Sequence, residues 1–365
     1  MTRMENNKLG AFIVPTGIGA SIGGYAGDAS RWARKFAEFS RLIVNPNVVN
    51  AGCFSGITEN MLYVEGYTLD EFFRGNLELI PAKNNKIGVI FDKGISQEVL
   101  NIHINTINAV KTVYDIDIIY EITENAVNVD FFVDESGIST GKVGNIEQLL
   151  YTAKNLLNKD AEAIAVVCKF KDDNKNEQYE NGIGVDPIGG MEAIISHYLS
   201  KELKVPVAHS PTFEDFSVST KIVSPKASAE YITPTFLPCI LLGLHNAPKI
   251  TQNGKWKMEN DTILSEETSL RSVSLRGVSE TNDAAIQKKS YSPLGIQDLE
   301  FLVMPYNALG SIPVFEALKR GIKVYAVKEN QAVLNITKQA LKLDNVIEVD
   351  TYEECLKYIS AGQGV

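Results

Sequence analysis

The chain has 365 residues, 44% hydrophobic and 22% charged, enough for two lobes or one large domain with a packed core. Its 35 basic and 45 acidic residues leave a formal charge of -10, which offers no field to attract nucleic acid or an anionic membrane surface. Its apolar runs fall short of the roughly 20 residues that cross a bilayer, and Cys53, Cys168, Cys239 and Cys355 lie far apart without zinc or disulfide spacing. The expectation is therefore a cytoplasmic protein.

Short β-rich runs alternate with helical periodicity along the chain, the pattern of crossover connections. The first run, 11–14, leads into 15–29, where five glycines precede a helical pattern at 30–39. Strand, glycine turn and helix start make an anion cradle, because glycine takes positive φ without strain and lets backbone N–H groups approach a phosphate or carboxylate. Thr16, Gly17, Gly19, Gly23, Gly24 and Asp28 are its candidate contacts, with Asp28 also placed to cap the helix.

A strand at 42–44 follows, then Cys53, then Glu65 between aromatic and β-branched neighbours. Burial there would raise the Glu65 pKa and make it a candidate general base. Next come a strand at 86–91, a helix at 96–113 with a structural His103, strands at 117–121 and 129–133, a helix at 146–157 and a strand at 162–167. In the segment 184–197, Asp186 and a following proline read as the start of a helix, and Gly189 and Gly190 leave its first turn bare. Glu192 and His197 ride on that helix, which spans 190–203.

A strand at 205–208 puts His209 at its carboxyl end, where catalytic side chains of α/β proteins usually sit. Cys239 is a core thiol or a thiolate at a helix start. The stretch 251–297 is polar and weakly patterned, an insertion or a flap over the cleft. Strands at 301–304, 323–327 and 346–349 alternate with helices at 313–319, 333–343 and 352–359. Asn307, Gly310 and Ser311 occupy the strand–loop–helix junction between the first of these pairs, where they are candidates to hold a second polar group of the substrate.

The fold class expected is α/β, with largely parallel sheets, flanking helices and two Rossmann-like lobes around a cleft, 1–145 and 146–365. The function expected is an acid–base isomerase or lyase holding a small anionic metabolite. His209, Glu65 and Cys239 would be catalytic, and Asp186, Gly189, Gly190, Glu192 and His197 would join the glycine loop in binding substrate. A non-catalytic metabolite sensor is the alternative from another class. A metal enzyme using His197, His209 and His245 with Asp186 is a third, although no His-x-His or His-x-x-x-His pair supports it. No cofactor is identified, and a homo-oligomer is compatible with the composition. Cys53 and Cys239 could also face each other as in two-base racemases, but the sequence contexts of those cysteines are absent.

Segments 15–29, 45–52, 63–72, 184–197, 235–248 and 307–330 occur in an order that resembles an uncharacterised family frequent in cyanobacteria and plants, domain of unknown function 3326. The resemblance covers nearly the whole chain and implies a soluble protein without supplying an activity. Cys239 and His197 match its pattern. Cys53 departs from it, which weakens the two-thiol idea.

Overall fold

Parallel strands with apolar residues on both faces dominate the computed structural model, which describes residues 8–170, 179–186, 188–212, 214, 218, 220–252 and 292–361. A six-stranded sheet runs in the order Val346–Val349, Lys323–Val327, Leu299–Pro305, Leu9–Phe12, Arg41–Val44, Met61–Tyr63, every neighbour parallel. A four-stranded parallel sheet has the order Val207–Thr212, Ala163–Lys169, Ile87–Phe91, Ile118–Ile122. The class is thus α/β with largely parallel sheets and flanking helices. The sheets do not divide at residue 145: the larger takes strands from both ends of the chain, and the smaller draws on both sides of that point.

Alternation along the strands sends side chains to two faces, and both are buried, as parallel sheets require. One apolar cluster gathers Phe12, Val44, Tyr63 and Val303 of the larger sheet with Val89, Phe91, Val167 and Ala208 of the smaller. The helices Gln97–Tyr114 and Leu237–His245 contribute Val99, Ile107, Leu241 and Leu244 to that cluster. The outer face of the larger sheet packs on Leu69, Phe72 and Phe73 of the helix Gly66–Arg74 and on Val314 and Ala317 of the helix Ile312–Lys319. The outer face of the smaller sheet packs on the helices Ile146–Leu157 and Gly189–Leu203.

Three expectations change. Residues 129–133 belong to an antiparallel hairpin, Asn128–Val133 with Ser139–Gly144, whose tip is closed by Asp134 accepting from the backbone of Ser136 and Ile138. Of the helix expected at 333–343 only Lys338–Leu341 forms, because the Val333 N–H donates to Ile18 and the Ile336 backbone pairs with Asn307 and Leu309. Both ends of the polar stretch 251–297 are ordered, since Lys249–Gln252 pairs with Leu77–Ile80 and Leu294 bridges Leu79. Residues 253–291 lie outside the described residues.

His103 is structural, as expected, and in company. Its Nε2 and Nδ1 each lie 2.9 Å from a threonine hydroxyl, Thr212 on one side and Thr235 on the other. Burial holds the imidazole down to about 4, so the unfolded chain takes up the proton first and stability drains away as pH falls from about 6.5 toward that value. His103→Leu should therefore cost about 2 kcal/mol at pH 7, where it strands two hydroxyls. The gap to wild type should narrow at pH 5, as urea midpoints at the two pH values will check.

Candidate functional site

The two glycine-rich bends meet. Gly17 has a φ of +74°, open to glycine at little cost, and a Cβ on it would lie 3.3 Å from the Gly190 backbone nitrogen. A Cβ on Gly190 would fall 1.8 Å from the Ser139 carbonyl oxygen, so a larger residue there must displace the hairpin. Ser139 binds both bends, donating its N–H to Gly17 O at 3.0 Å and accepting from Gly190 N at 3.1 Å. The interval between the bends is therefore filled by backbone and Ser139, which replaces the shared hollow that the sequence suggests.

Several of the glycine loop's donors are satisfied internally. Ser21 donates to Gln331, Ile22 to Asn330, and Ala26 to Glu230. Gly23 N donates to Asp28 Oδ1 at 2.5 Å. Asp28 thus closes the loop and does not cap the helix Ser30–Ala37, whose N-cap is Ala29. Burial raises its carboxyl to about 6. Among the described residues the N–H groups of Thr16, Gly17, Ile18, Gly19 and Ala20 have no partner. Those five amides are what remains of the expected cradle.

Beside them lies a cluster of acids around a histidine. The strand that carries His209 extends through Thr212, and His209 pairs in register with Val166, so it sits within the strand and not past its carboxyl end. Its face is that of Val207 and Val166, toward the helix Gly189–Leu203. From that helix Glu192 brings Oε1 to 2.5 Å from His209 Nε2, with side-chain exposures of only 17% and 7%. The approach lacks hydrogen-bond alignment, which leaves each atom without an aligned partner.

Asp186, expected as the helix cap, instead accepts from Ile188 N two residues on, and the helix begins at Gly189. Loss of water and the neighbouring Glu192 raise its carboxyl to about 6. Glu230 completes the group, a residue that no motif announced. It accepts from Tyr179 and from Ala26, and burial with the charge of Asp186 pushes it up to about 8. Tyr179 stacks on Tyr25, centroids 4.7 Å apart, and the Tyr25 hydroxyl donates to Gly184 O.

The remaining candidates stand apart in role. Glu65 is buried and its pKa is raised by burial, as expected. Its two oxygens accept from Tyr67 N and Thr68 N, however, which makes it the cap of the helix Gly66–Arg74. His197 Nε2 lies 3.9 Å from Glu65 and against Gly66, where a Cβ would collide with the ring. Cys239 is buried, donates to Phe236 O, and is pushed up to about 12 by burial, so it is a thiol and no thiolate. Cys53 is exposed. Asn307 uses its carboxamide on Ala332 and Leu334, Gly310 lies against Ile336, and Ser311 occupies an N-cap position without a capping bond. Among the described residues no three His, Cys, Asp or Glu side chains converge to hold a metal ion, so His197, His209, His245 and Asp186 do not form the alternative centre.

The sequence profile of a family described as protein of unknown function, DUF3326, matches residues 10–365. The chain belongs to this family. A relative named uncharacterized lipoprotein syc1174_c, from Synechococcus sp., is 33% identical over 354 residues, 96% of this chain and 89% of the relative. No solved structure matches. Among the described residues no helix is long and apolar enough to cross a membrane.

Glu230 carries the sharpest electrostatic consequence. Its folded pKa exceeds its unfolded value, so the folded state holds the proton longer and stability falls as pH rises from about 4 through about 8. Glu230→Gln keeps an acceptor for Tyr179 and has no charge to bury. It should raise Tm by roughly 3 °C or more at pH 8.5 and leave it nearly unchanged at pH 5, a difference that calorimetry will read.

Proposed function

We propose that this protein is an enzyme that moves protons on a small polar metabolite, by isomerisation or elimination. His209 and Glu192 exchange the proton, and the unpartnered amides of Thr16–Ala20 receive a carboxylate or phosphate. The observation that carries this reading is the 2.5 Å approach of Glu192 Oε1 to His209 Nε2 in a nearly enclosed setting. An imidazole is the side chain best matched to proton transfer near neutral pH, and an adjacent carboxylate stabilises its charged form. Glu230 supports the same reading, because a pKa pushed up to about 8 keeps most of its negative charge off the site at neutral pH, while Asp186, raised only to about 6, gives up its proton just below neutrality. Glu65 is withdrawn from the catalytic set, since its oxygens serve a helix cap.

The cytoplasm is the proposed compartment, on the strength of four free cysteines. The Synechococcus relative is named a lipoprotein, and fractionation of cells into soluble and membrane pools decides between the two.

The enzymatic reading is tested in D2O. Carboxylated and phosphorylated metabolites that raise the Tm of the wild-type protein are incubated with it and weighed by mass spectrometry. A substrate should gain solvent deuterium, and His209→Ala and Glu192→Gln should each slow that gain by roughly 10²–10⁴-fold while remaining folded. Ligands that bind equally to all three proteins and never gain deuterium would establish the sensor instead.

A further inference from the structure

A cavity of about 700 Å³ opens at the amino end of the six-stranded sheet, the opposite end from the glycine loop. That volume suits a small molecule of ordinary metabolite or drug size. Strand starts and the neighbouring helices supply its walls: Leu299 and Phe301 from one strand, Ile322 from the turn before the next, Tyr358 and Ile359 from the helix Tyr352–Ser360. These give it an apolar interior.

Polar groups share the walls, and the charged ones are mostly of one sign. Lys8, Arg320 and Lys323 line it against a single acid, Glu300. Lys8 reaches Glu300 only at 3.7 Å, with both side chains about half exposed, a pairing worth little in water. Arg320 is committed to Glu316 and to the Arg74 carbonyl. Lys323 has no acidic partner among the described residues. Tyr325, third residue of the strand Lys323–Val327, also lines the cavity and is 1% exposed. Its hydroxyl has no hydrogen-bond partner among the described residues. The ring is buried but the hydroxyl is not sealed off, so it is free to donate into the cavity that Tyr325 lines.

We infer that this cavity is a second binding site, for an amphiphilic monoanion: an aromatic or short acyl body against Phe301 and Ile322, with its acid group between Lys323 and the Tyr325 hydroxyl. Lys323, the cation left without an acid among the described residues, disfavours an amphiphilic amine at the same place. The site is independent of the acid–base reading, because it shares none of that site's residues.

The probe is 8-anilinonaphthalene-1-sulfonate, titrated into the full-length protein and followed by its fluorescence. One saturable site is expected, displaced by octanoate and not by octylammonium. Lys323→Glu should weaken probe affinity roughly tenfold, and Tyr325→Phe, which keeps the ring and its packing, roughly threefold with unchanged Tm. Titrations indistinguishable from wild type in both variants, or displacement by octylammonium as readily as by octanoate, would overturn the assignment.

Discussion

The helix Leu237–His245 holds the two sheets in one molecule. Leu237, Cys239, Ile240, Leu241, Gly243 and Leu244 are all buried, so the helix is apolar around most of its circumference and must be enclosed to be stable. It belongs to the cluster shared by both sheets. It lies close against the larger sheet at Gly243, where a Cβ would lie 2.8 Å from the Tyr63 ring. Each of its large aliphatic side chains contributes about 1.5–3 kcal/mol by leaving water. Its first turn is fixed from two directions, by Thr235 accepting from Leu237 N and by Gly52 accepting from Cys239 N. The same Thr235 touches His103, so the histidine bridge and the helix start form one polar seam inside the apolar contact.

That enclosure explains the electrostatics of the candidate site. Asp186, Glu192 and Glu230 lie within electrostatic reach of one another. Carboxyls drawn together in a poorly hydrated place resist ionisation, because each negative charge raises the free energy of the next. Ser139 fixes how close the glycine loop comes to the helix bearing Glu192, since it bonds to both. The site is therefore assembled from a loop of the larger sheet, a helix and a strand of the smaller, and a hairpin laid across them.

The parallel strands were legible because burial on both faces leaves a continuous apolar run; Lys323–Val327 and Val346–Val349 appear in the structure with the bounds their residues suggest. The helix Leu237–His245 was not, for a helix apolar on most sides has no periodic contrast to detect. Nor was Gly66–Arg74, nine residues whose cap is a glutamate; Glu is a less usual cap than Ser, Thr, Asp or Asn, so its acid suggested chemistry. Of the candidate residues, His209, Glu192 and Asp186 are brought together. Glu230 joins them from a segment without a motif, and the burial and the neighbouring acids that raise its pKa, Asp186 and Glu192, are set by tertiary packing alone. Asn307 and Asp28 illustrate the reverse error, where polar residues in conspicuous loops turn out to stitch those loops shut.

The pairing of Leu9–Phe12 with Leu299–Pro305 reaches beyond the finished fold. A ribosome releases the first three strands of the larger sheet, through Met61–Tyr63, long before the three that begin at Leu299. Until then the nascent Leu9–Phe12 strand presents a parallel edge with nothing beside it, while every strand of the smaller sheet has already emerged. The smaller sheet is thereby the unit able to fold during translation, and the larger one is obliged to wait for the carboxyl-terminal quarter of the chain.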